Sequence, residues 1–314
     1  MRNLAYKSGL RLLALQASLA LACCTASMAC PEFQITEVAP GTFVHQGPYQ
    51  IAAPSNGGGI ANLAFIIGDK GVAAVDTGGS LCEGQSLRAA IRSKTGKPVL
   101  YAINTHMHPD HVLGNAAFKG EATFVGHFKL PRALAARGEF YMEKARQTLG
   151  VEAMAGTEVV APTLLVENEM DLDLGGRIIH LKAYPTAHTD NDLTVFDNRT
   201  GTLFTGDLLF VRHTPSLDGS LKGWLPVIQS LKKLEAVRAV PGHGPPSVAW
   251  PKALEMQEIY LTRLRDDVRV AIKSGKTIGE AAKSIGVSER DAWELFDEYN
   301  ARNVSAAYAE LEWE

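Results

Sequence analysis

The sequence predicts an α/β protein, a four-layer αββα sandwich with a C-terminal helical extension. Apolar, strand-like segments alternate with segments of helical spacing, and this succession occurs twice along the chain. With 314 residues, 46% of them hydrophobic, the chain is long enough to bury a large core. Two rounds of strands followed by helices place two sheets inside and the helices outside.

The amino-terminal residues predict export. Three basic residues without an acid precede an apolar run at 12–24, and small residues follow as far as Ala29. This order is typical of a signal peptide, here residues 1–29, and the run is too short to cross about 30 Å of hydrocarbon as a helix. We therefore expect a periplasmic protein without a membrane span after cleavage. A lipoprotein form stays open because Cys23 and Cys30 follow small residues.

Two cysteines remain after this cleavage, Cys30 and Cys82. An even pair in an oxidising compartment allows a disulfide between them. Two free, buried thiols are the alternative, and the sequence leaves both open.

The first round of elements begins after the signal peptide. The predicted strands are "TFVHQG", "NLAFIIGD", "GVAAVDTGG", the buried "KPVLYAINT" and "ATFVG". The predicted helices are "SLCEGQSLRAAIRSKTG", a segment from about Asn115, and a long polar helix from Leu130 to Leu149.

The second round starts with short strands in residues 158–183. A hairpin-like pair, "DLTVFD" and "GTLFTGD", is followed by a helix, "SLKGWLPVIQSLKKL", and a last strand, "VRAVPGHG". We expect residues 30–250 to form one domain and residues 251–314 to form helices packed on it.

Four residues with metal-ligating side chains lie within the stretch "INTHMHPDHVLGN". They are His106, His108, Asp110 and His111, and the chain has only nine histidines. Imidazole is the commonest metal ligand, and a carboxylate adds an anionic oxygen. A His-x-His pair in an extended segment directs both rings to the same side. The cluster therefore predicts a metal site at the carboxyl end of "KPVLYAINT".

Three further candidates, His188, Asp207 and His243, each follow an apolar strand and a Gly, Pro or Thr turn. In layered α/β sheets, residues at strand ends converge on one edge even when they are distant in sequence. Five histidines and two aspartates can form two ligand sets with one bridging carboxylate, as in two-metal hydrolytic centres.

The ordered motifs "THMHPDH", "AHTDND", "FTGD" and "PGHG" resemble the metallo-β-lactamase superfamily from about Phe33 to Trp250. The resemblance implies that fold and two Zn²⁺ ions. It assigns the first zinc to His106, His108 and His188, the second to Asp110, His111 and His243, and the bridging position to Asp207. It also implies that Asp76, in "AVDTGG", supports the ligand loops from behind the ligands, with an aspartate that only initiates a turn as the alternative.

The implied chemistry is hydrolysis. Two zinc ions lower the pKa of a shared water to about 7, which makes a metal-bound hydroxide available, and Asp110 is the catalytic residue that orients it. An aspartate at position 207, instead of the cysteine of one β-lactamase subclass, favours a small ester, thioester or lactone as the substrate. The alternatives are a mononuclear iron enzyme like the persulfide dioxygenases, a β-lactam hydrolase, and a non-catalytic metal-binding partner of a periplasmic dehydrogenase.

Two other segments, "GDLLFVRHTPSLDGSLKGWL" and "DEYNARNVSAAYAELEWE", resemble the quinoprotein relay system zinc metallohydrolases, a SoxH-like branch. This resemblance implies a small-molecule substrate and a periplasmic quinoprotein dehydrogenase system as the setting.

Other residues have weaker signals. We expect a structural role for His213, Asp218 and Trp224, on a loop after Asp207 over the site, with contact to the polar groups of the substrate as the alternative. His127 is expected at the surface or behind the ligands. The stretch "TIGEAAKSIGVSERDAWELF" has helix-turn-helix character, but a formal charge of −3 without basic runs argues against a nucleic-acid partner.

Overall fold

The computed structural model of the protein describes Met1 and residues 30–314. The predicted signal peptide, apart from Met1, lies outside the described residues. Two sheets pack face to face and helices cover their outer faces, which confirms the predicted four-layer αββα sandwich.

The first sheet has seven strands in sequence order. They are β1 (Ile35–Ala39), β2 (Thr42–His45), β3 (Leu63–Ile67), β4 (Val72–Val75), β5 (Val99–Asn104), β6 (Thr123–His127) and β7 (Leu164–Val166). Strands β1 to β4 pair antiparallel, whereas β4 to β7 pair parallel. The parallel part brings the carboxyl ends of β4 and β5 to the same edge.

The second sheet has six strands in the order β13-β12-β11-β10-β9-β8. They are β8 (Glu169–Asp173), β9 (Ile178–Ala183), β10 (Leu193–Asp197), β11 (Thr202–Phe210), β12 (Arg238–His243) and β13 (Val248–Ala249). Strands β10 and β11 form the predicted antiparallel pair, with Val195 opposite Phe204. Strand β12 lies parallel to β11, so its end at His243 lies beside the end of β11.

Seven α-helices complete the described fold. They are α1 (Leu81–Lys94), α2 (Pro109–Val112), α3 (Leu130–Leu149), α4 (Leu221–Leu231), α5 (Leu254–Lys273), α6 (Ile278–Ser284) and α7 (Phe296–Leu311). Helices α1 and α4 begin where the hydroxyl groups of Ser80 and Ser220 accept hydrogen bonds from backbone N–H groups of the first turn. The predicted helix over residues 130–149 has the predicted bounds.

Period-two alternation divides the apolar side chains of β3 between two cores. Ala64 and Ile66 face the second sheet, whereas Leu63 and Phe65 face the layer of α1. This alternation explains why the strand is apolar along its whole length: both of its faces are buried.

The C-terminal helices pack on the outer face of the second sheet. The buried amide of Gln257, on α5, accepts a hydrogen bond from the Phe210 N–H at 2.7 Å and donates one to the Leu208 carbonyl at 2.8 Å. These bonds join α5 to β11 and hold the extension against the strand that carries Asp207.

Some local predictions were wrong. Strands β1 and β13 were not predicted, because short edge strands have little apolar pattern. The helix expected from Asn115 is a 3₁₀ helix, Leu113–Phe118, and the helix-turn-helix segment contains another 3₁₀ helix, Val287–Ala292. Within the described part of the chain, no helix combines the length and apolar character needed to span a membrane.

Candidate metal centre

The structure brings all seven predicted ligand residues together at one edge of the sandwich. They form two groups: His106, His108, His188 and Asp207; and Asp110, His111 and His243. Within each group the ligand atoms lie within 4.8 Å of one another. Six of the residues divide as in the two predicted ligand sets, while Asp207, predicted to bridge the sets, falls in the first group; the binding of metal stays a prediction.

The first cluster of ligands follows β5 directly. His106 and His108 lie in the connection after the strand, and Pro109 begins α2. Proline suits the first position of a helix because it has no N–H to leave unbonded. The single turn of α2 then turns Asp110 and His111 toward the second group.

Asp207 lies inside β11, and not after a strand end as predicted. The pairing of β11 with β12 is irregular on both sides of Gly206, whose φ is 50°. A Cβ at Gly206 would lie 2.6 Å from the side chain of Thr105, so only glycine fits this bulge. The bulge places the next side chain, that of Asp207, between the two groups.

The carboxylate of Asp207 lies close to ligand histidines of both groups. Its Oδ1 lies 3.3 Å from His111 Nε2, while its Oδ2 lies 3.3 Å from His188 Nε2 and 3.7 Å from His106 Nε2. Oδ2 is also 3.4 Å from His243 Nε2. The Asp207 carboxylate therefore lies between the two groups.

The outer ring nitrogens of the first group are held by hydrogen bonds. Nδ1 of His188 donates to the Ser216 carbonyl at 2.6 Å, and Nε2 of His108 donates to Asp218 at 3.1 Å. Because the proton lies on the outer nitrogen, the inner nitrogen presents a lone pair.

Asp76 organises three further donors. One carboxylate oxygen accepts the Thr105 N–H at 2.8 Å, and the other accepts the Thr105 hydroxyl at 2.8 Å and Nδ1 of His111 at 2.7 Å. Since the hydroxyl proton of Thr105 is used, its oxygen accepts from Nδ1 of His106 at 3.1 Å. Asp76 thereby orients one histidine of each group.

The outer nitrogen of His243 is also hydrogen-bonded, because its Nδ1 donates to the Ile60 carbonyl at 3.0 Å.

The inner nitrogens of the first group lie close together: those of His106 and His108 are 3.1 Å apart, and those of His188 and His108 are 2.9 Å apart. Lone pairs at this separation repel one another unless a cation lies between them. Within the described chain, His111 Nε2 and Asp207 Oδ1 are also buried without a hydrogen-bond partner. The donor set therefore fits metal ions, and soft-to-borderline imidazole with carboxylate suits zinc.

Burial and charge shift the pKa values of these groups in opposite directions. Burial lowers the pKa of His188 to about 3. Burial also opposes the charged form of His243, but the carboxylates of Asp207 and Asp110 raise its pKa to about 9. Despite its burial, Asp110 has its pKa lowered to about 2 by His111 and His243, so it is a carboxylate at neutral pH.

A further histidine, His213, lies beside the second group. Its ring centre is 4.8 Å from that of His243, its Nδ1 donates to the Thr214 carbonyl at 2.7 Å, and its buried Nε2 has no hydrogen-bond partner in the described chain. The ring of Tyr299, on α7, is 4.9 Å away. Burial, with the charges of Asp110 and Asp207 contributing, raises the pKa of Tyr299 to about 12. The C-terminal extension thus forms one wall of the site.

Two of the three possible substrate contacts have structural roles. Trp224 is completely buried and its indole N–H donates to the Leu208 carbonyl, so it does not face a substrate. It packs under His188, with ring centres 5.4 Å apart. Asp218 accepts hydrogen bonds from His108 and Arg137, so its carboxylate supports a ligand.

His127 is buried, so it does not lie at the surface, which was one of its two expected positions. One ring nitrogen contacts the Tyr184 carbonyl at 3.2 Å, and the other accepts the Lys129 N–H. Its hydrogen bonds are therefore used outside the two ligand groups.

The chain belongs to the metallo-β-lactamase superfamily, whose family model matches residues 56–243. Both ligand groups lie within the matched residues. A Caenorhabditis elegans protein described as a beta-lactamase-like protein 2 homolog is 27% identical over 200 residues. The match covers 63% of this chain but only 60% of that relative's length.

Solved structures show the same fold. The sec-alkylsulfatase Pisa1 from Pseudomonas sp. superposes with a TM-score of 0.67 at 18% identity, over 89% of this chain and 50% of that one. A metallo-beta-lactamase from Pontibacter korlensis superposes with a TM-score of 0.59 at 19% identity, over 74% and 99% of the chains. At these identities the likeness concerns the fold alone.

Three residues near the ligands were not predicted from the sequence: Arg137, Tyr141 and Tyr299. Arg137 and Tyr141 belong to α3, and the Tyr141 ring meets the His108 ring edge-on with centres 6.4 Å apart. These residues lie in ordinary helical segments without a motif, so only the packing of the helices brings them to the site.

Proposed function

We propose that the protein is an exported dinuclear zinc hydrolase that cleaves a small ester, thioester or lactone. The observation that carries this proposal is the convergence of five imidazole rings on two carboxylates, with each outer ring nitrogen already hydrogen-bonded. When bound, zinc would lower the pKa of a water molecule and polarise the bond to be broken.

Asp110 is proposed to orient the attacking water. Its Oδ2 lies 3.3 Å from His243 Nε2 and 3.5 Å from His111 Nε2, and 14% of its side chain is exposed. A carboxylate with a low pKa is ionised at neutral pH and only accepts hydrogen bonds. Asp110 would therefore accept a hydrogen bond from the attacking water and so fix the direction of the lone pair on the water oxygen.

Asp207 supports the choice of substrate class. Its carboxylate faces both ligand groups, which would hold two metal ions at a constant separation and reduce the charge of the centre. A positioned water in such a centre suits attack on an activated ester or thioester carbonyl, and we propose low β-lactam turnover.

His213 and Tyr299 are proposed to contact the polar part of the substrate. Because Nδ1 of His213 carries the ring proton and donates a hydrogen bond to the Thr214 carbonyl, its Nε2 can accept a hydrogen bond from the substrate. The Tyr299 hydroxyl, which has no hydrogen bond to other described residues, can donate one.

Export and a periplasmic setting form part of the proposal. The Cys30–Cys82 disulfide in the structure, with Cα atoms 5.3 Å apart, supports an oxidising compartment. A periplasmic quinoprotein dehydrogenase system is the proposed setting, and a tagged protein should be recovered from the periplasm beginning at or near Cys30. Recovery of the intact Met1 terminus from the cytosol would refute export.

Metal content and turnover test the central proposal. Elemental analysis of the purified protein should give close to two zinc ions per chain, and Asp207→Ala should lose both metal and activity. His180→Ala is the matched control, since His180 pairs with Asp171 at the surface. One iron ion with oxygen uptake, or bound metal without turnover, would contradict the proposal.

A substrate panel tests the reaction class. It contains 4-nitrophenyl acetate, an acyl thioester, a γ-lactone, a penicillin and a secondary alkyl sulfate, the last because of the activity named for the Pisa1 structure. We expect turnover of the first three. A kcat/KM of about 10⁴ M⁻¹s⁻¹ or more on the penicillin would overturn the preference for non-lactam substrates.

A further inference from the structure

An apolar cavity of about 130 Å³ adjoins the second ligand group. It lies between the loop at residues 46–62, the start of α2 and the last turns of α3. The side chains that line it include Ala52, Ile60, Pro109, Tyr141, Ala145 and Leu149. Asp110 is also part of its wall, so the cavity opens next to the group proposed to orient water.

We propose that this cavity binds an apolar group of the substrate about as large as a benzene ring or a four- to five-carbon chain; the inference rests on the proposed hydrolase function. The size follows from the volume, because an apolar protein cavity of about 150 Å³ holds one benzene molecule. A long alkyl chain exceeds this volume, and an acetyl group leaves most of it unfilled.

The position of the cavity assigns it to the part of the substrate next to the bond that is cleaved. Asp110 belongs both to the cavity wall and to the second ligand group. On the other side, the Tyr141 ring lines the cavity and contacts His108 of the first group edge-on. An acyl group seated between Asp110 and Tyr141 would therefore place its carbonyl beside the two ligand groups.

The lining favours an uncharged group. Apart from Asp110 and Thr148, the wall is built from glycines and from aliphatic and aromatic side chains, and Lys144 is an exposed residue. Burying a charged group against such a wall costs hydration that these few polar groups do not replace. Benzoyl or butanoyl esters should therefore be preferred to acetyl and to succinyl esters.

A matched pair of substitutions on α3 tests the cavity. Ala145→Leu fills it from the side of α3, whereas Ala136→Leu makes the same change at an exposed position of that helix. The measurement is kcat/KM for 4-nitrophenyl acetate, butyrate, benzoate and dodecanoate. We expect the native protein to prefer butyrate and benzoate to acetate by about tenfold or more, the range for filling a hydrophobic pocket.

The two variants should then differ. Ala145→Leu should lose the preference for butyrate and benzoate over acetate, and Ala136→Leu should keep the native preference. Equal kcat/KM for all four esters in the native protein, or an unchanged preference in folded Ala145→Leu, overturns the proposal.

A binding measurement without hydrolysis separates this inference from the proposed function. Nuclear Overhauser contacts between benzyl alcohol and the methyl groups of Ala145 and Leu149 are expected in the native protein and in Ala136→Leu. Contacts without hydrolysis of any ester would support the cavity as an apolar site and overturn the hydrolase proposal. Ester hydrolysis without these contacts would overturn the cavity proposal. If Ala145→Leu does not fold, the binding measurement on the native protein alone still tests the proposal.

Discussion

Oδ2 of Asp76 lies 2.7 Å from Nδ1 of His111, and Asp76 has a positive φ of 57° at the end of β4. Its two oxygens also accept two hydrogen bonds from Thr105. The Asp76 carboxylate thus connects the end of β4 to the ligand residues that follow β5. Aspartate and asparagine tolerate this backbone conformation better than most residues.

Asp76→Asn should therefore keep the fold but weaken metal binding about 10- to 100-fold. The amide NH₂ that replaces one carboxylate oxygen cannot accept the hydrogen bonds that this oxygen receives. Competition with a chelator measures the affinity. Asp171→Asn is the control, since Asp171 also lies 2.7 Å from a histidine, His180, but at the exposed edge of the second sheet. Equal losses in the two variants would contradict the role assigned to Asp76.

Gly206→Ala should reduce metal content and lower the free energy of unfolding by about 1–3 kcal/mol. The new Cβ would meet Thr105 and displace the hydrogen bonds of Asp76. Gly275→Ala separates the two causes, because Gly275 also has a positive φ, 73°, but a Cβ there would meet no atom within 4 Å. Backbone strain alone predicts equal effects, whereas the clash predicts metal loss only for Gly206→Ala.

Glu83→Gln should make stability less dependent on pH. Burial raises the pKa of Glu83 to about 8, although its carboxylate accepts the Gly79 N–H at 2.7 Å. Between pH 4.5 and 8 the folded chain keeps a proton that the unfolded chain has released, so this group's contribution to stability declines as pH rises through that window.

Urea denaturation at pH 5, 7 and 9 checks this expectation. Between pH 5 and pH 9, the free energy of unfolding of Glu83→Gln should rise by on the order of a few kcal/mol relative to that of the native protein. Glu152→Gln, at an exposed position, should show no such relative rise. A parallel decline in the native protein and Glu83→Gln would show that Glu83 is ionised in the folded state.

Removing the Cys30–Cys82 disulfide should lower the free energy of unfolding by about 2–4 kcal/mol, because the bond closes a loop between residues 52 positions apart. Guanidinium denaturation of the double variant Cys30→Ala/Cys82→Ala measures the loss. Dithiothreitol should destabilise the native protein to the same extent and leave the double variant unchanged. A native protein insensitive to the reductant would contradict the contribution of the disulfide.

Tyr299→Phe should lower kcat/KM about tenfold without loss of metal, since it removes one hydroxyl proposed to donate to the substrate. Tyr308→Phe is the control on the same helix, because the Tyr308 hydroxyl donates to the Lys276 carbonyl at 2.8 Å instead. Unchanged kinetics in Tyr299→Phe would remove Tyr299 from the proposed substrate contacts.

Much of the fold was predictable because its strands are apolar and its helices periodic. The helix at residues 130–149 and the pair β10 and β11 have strong local patterns, and the structure confirms them. The edge strands β1 and β13 were missed because they are short and pair on one side only. The position of Asp207 within β11 was also missed, since a bulge depends on contact with Thr105 and leaves no local pattern.

The sequence by itself determined which side chains can form the candidate centre, because ligand chemistry belongs to residue types and their spacing follows from strand ends and turns. Only the tertiary structure decided how those groups are oriented and what surrounds them. The outer nitrogen of each ligand histidine is held by a partner such as Asp76 or Ser216, and Tyr141 and Tyr299 reach the site from α3 and α7. Those relationships depend on packing between segments far apart in the chain, and local sequence patterns carry no record of that packing.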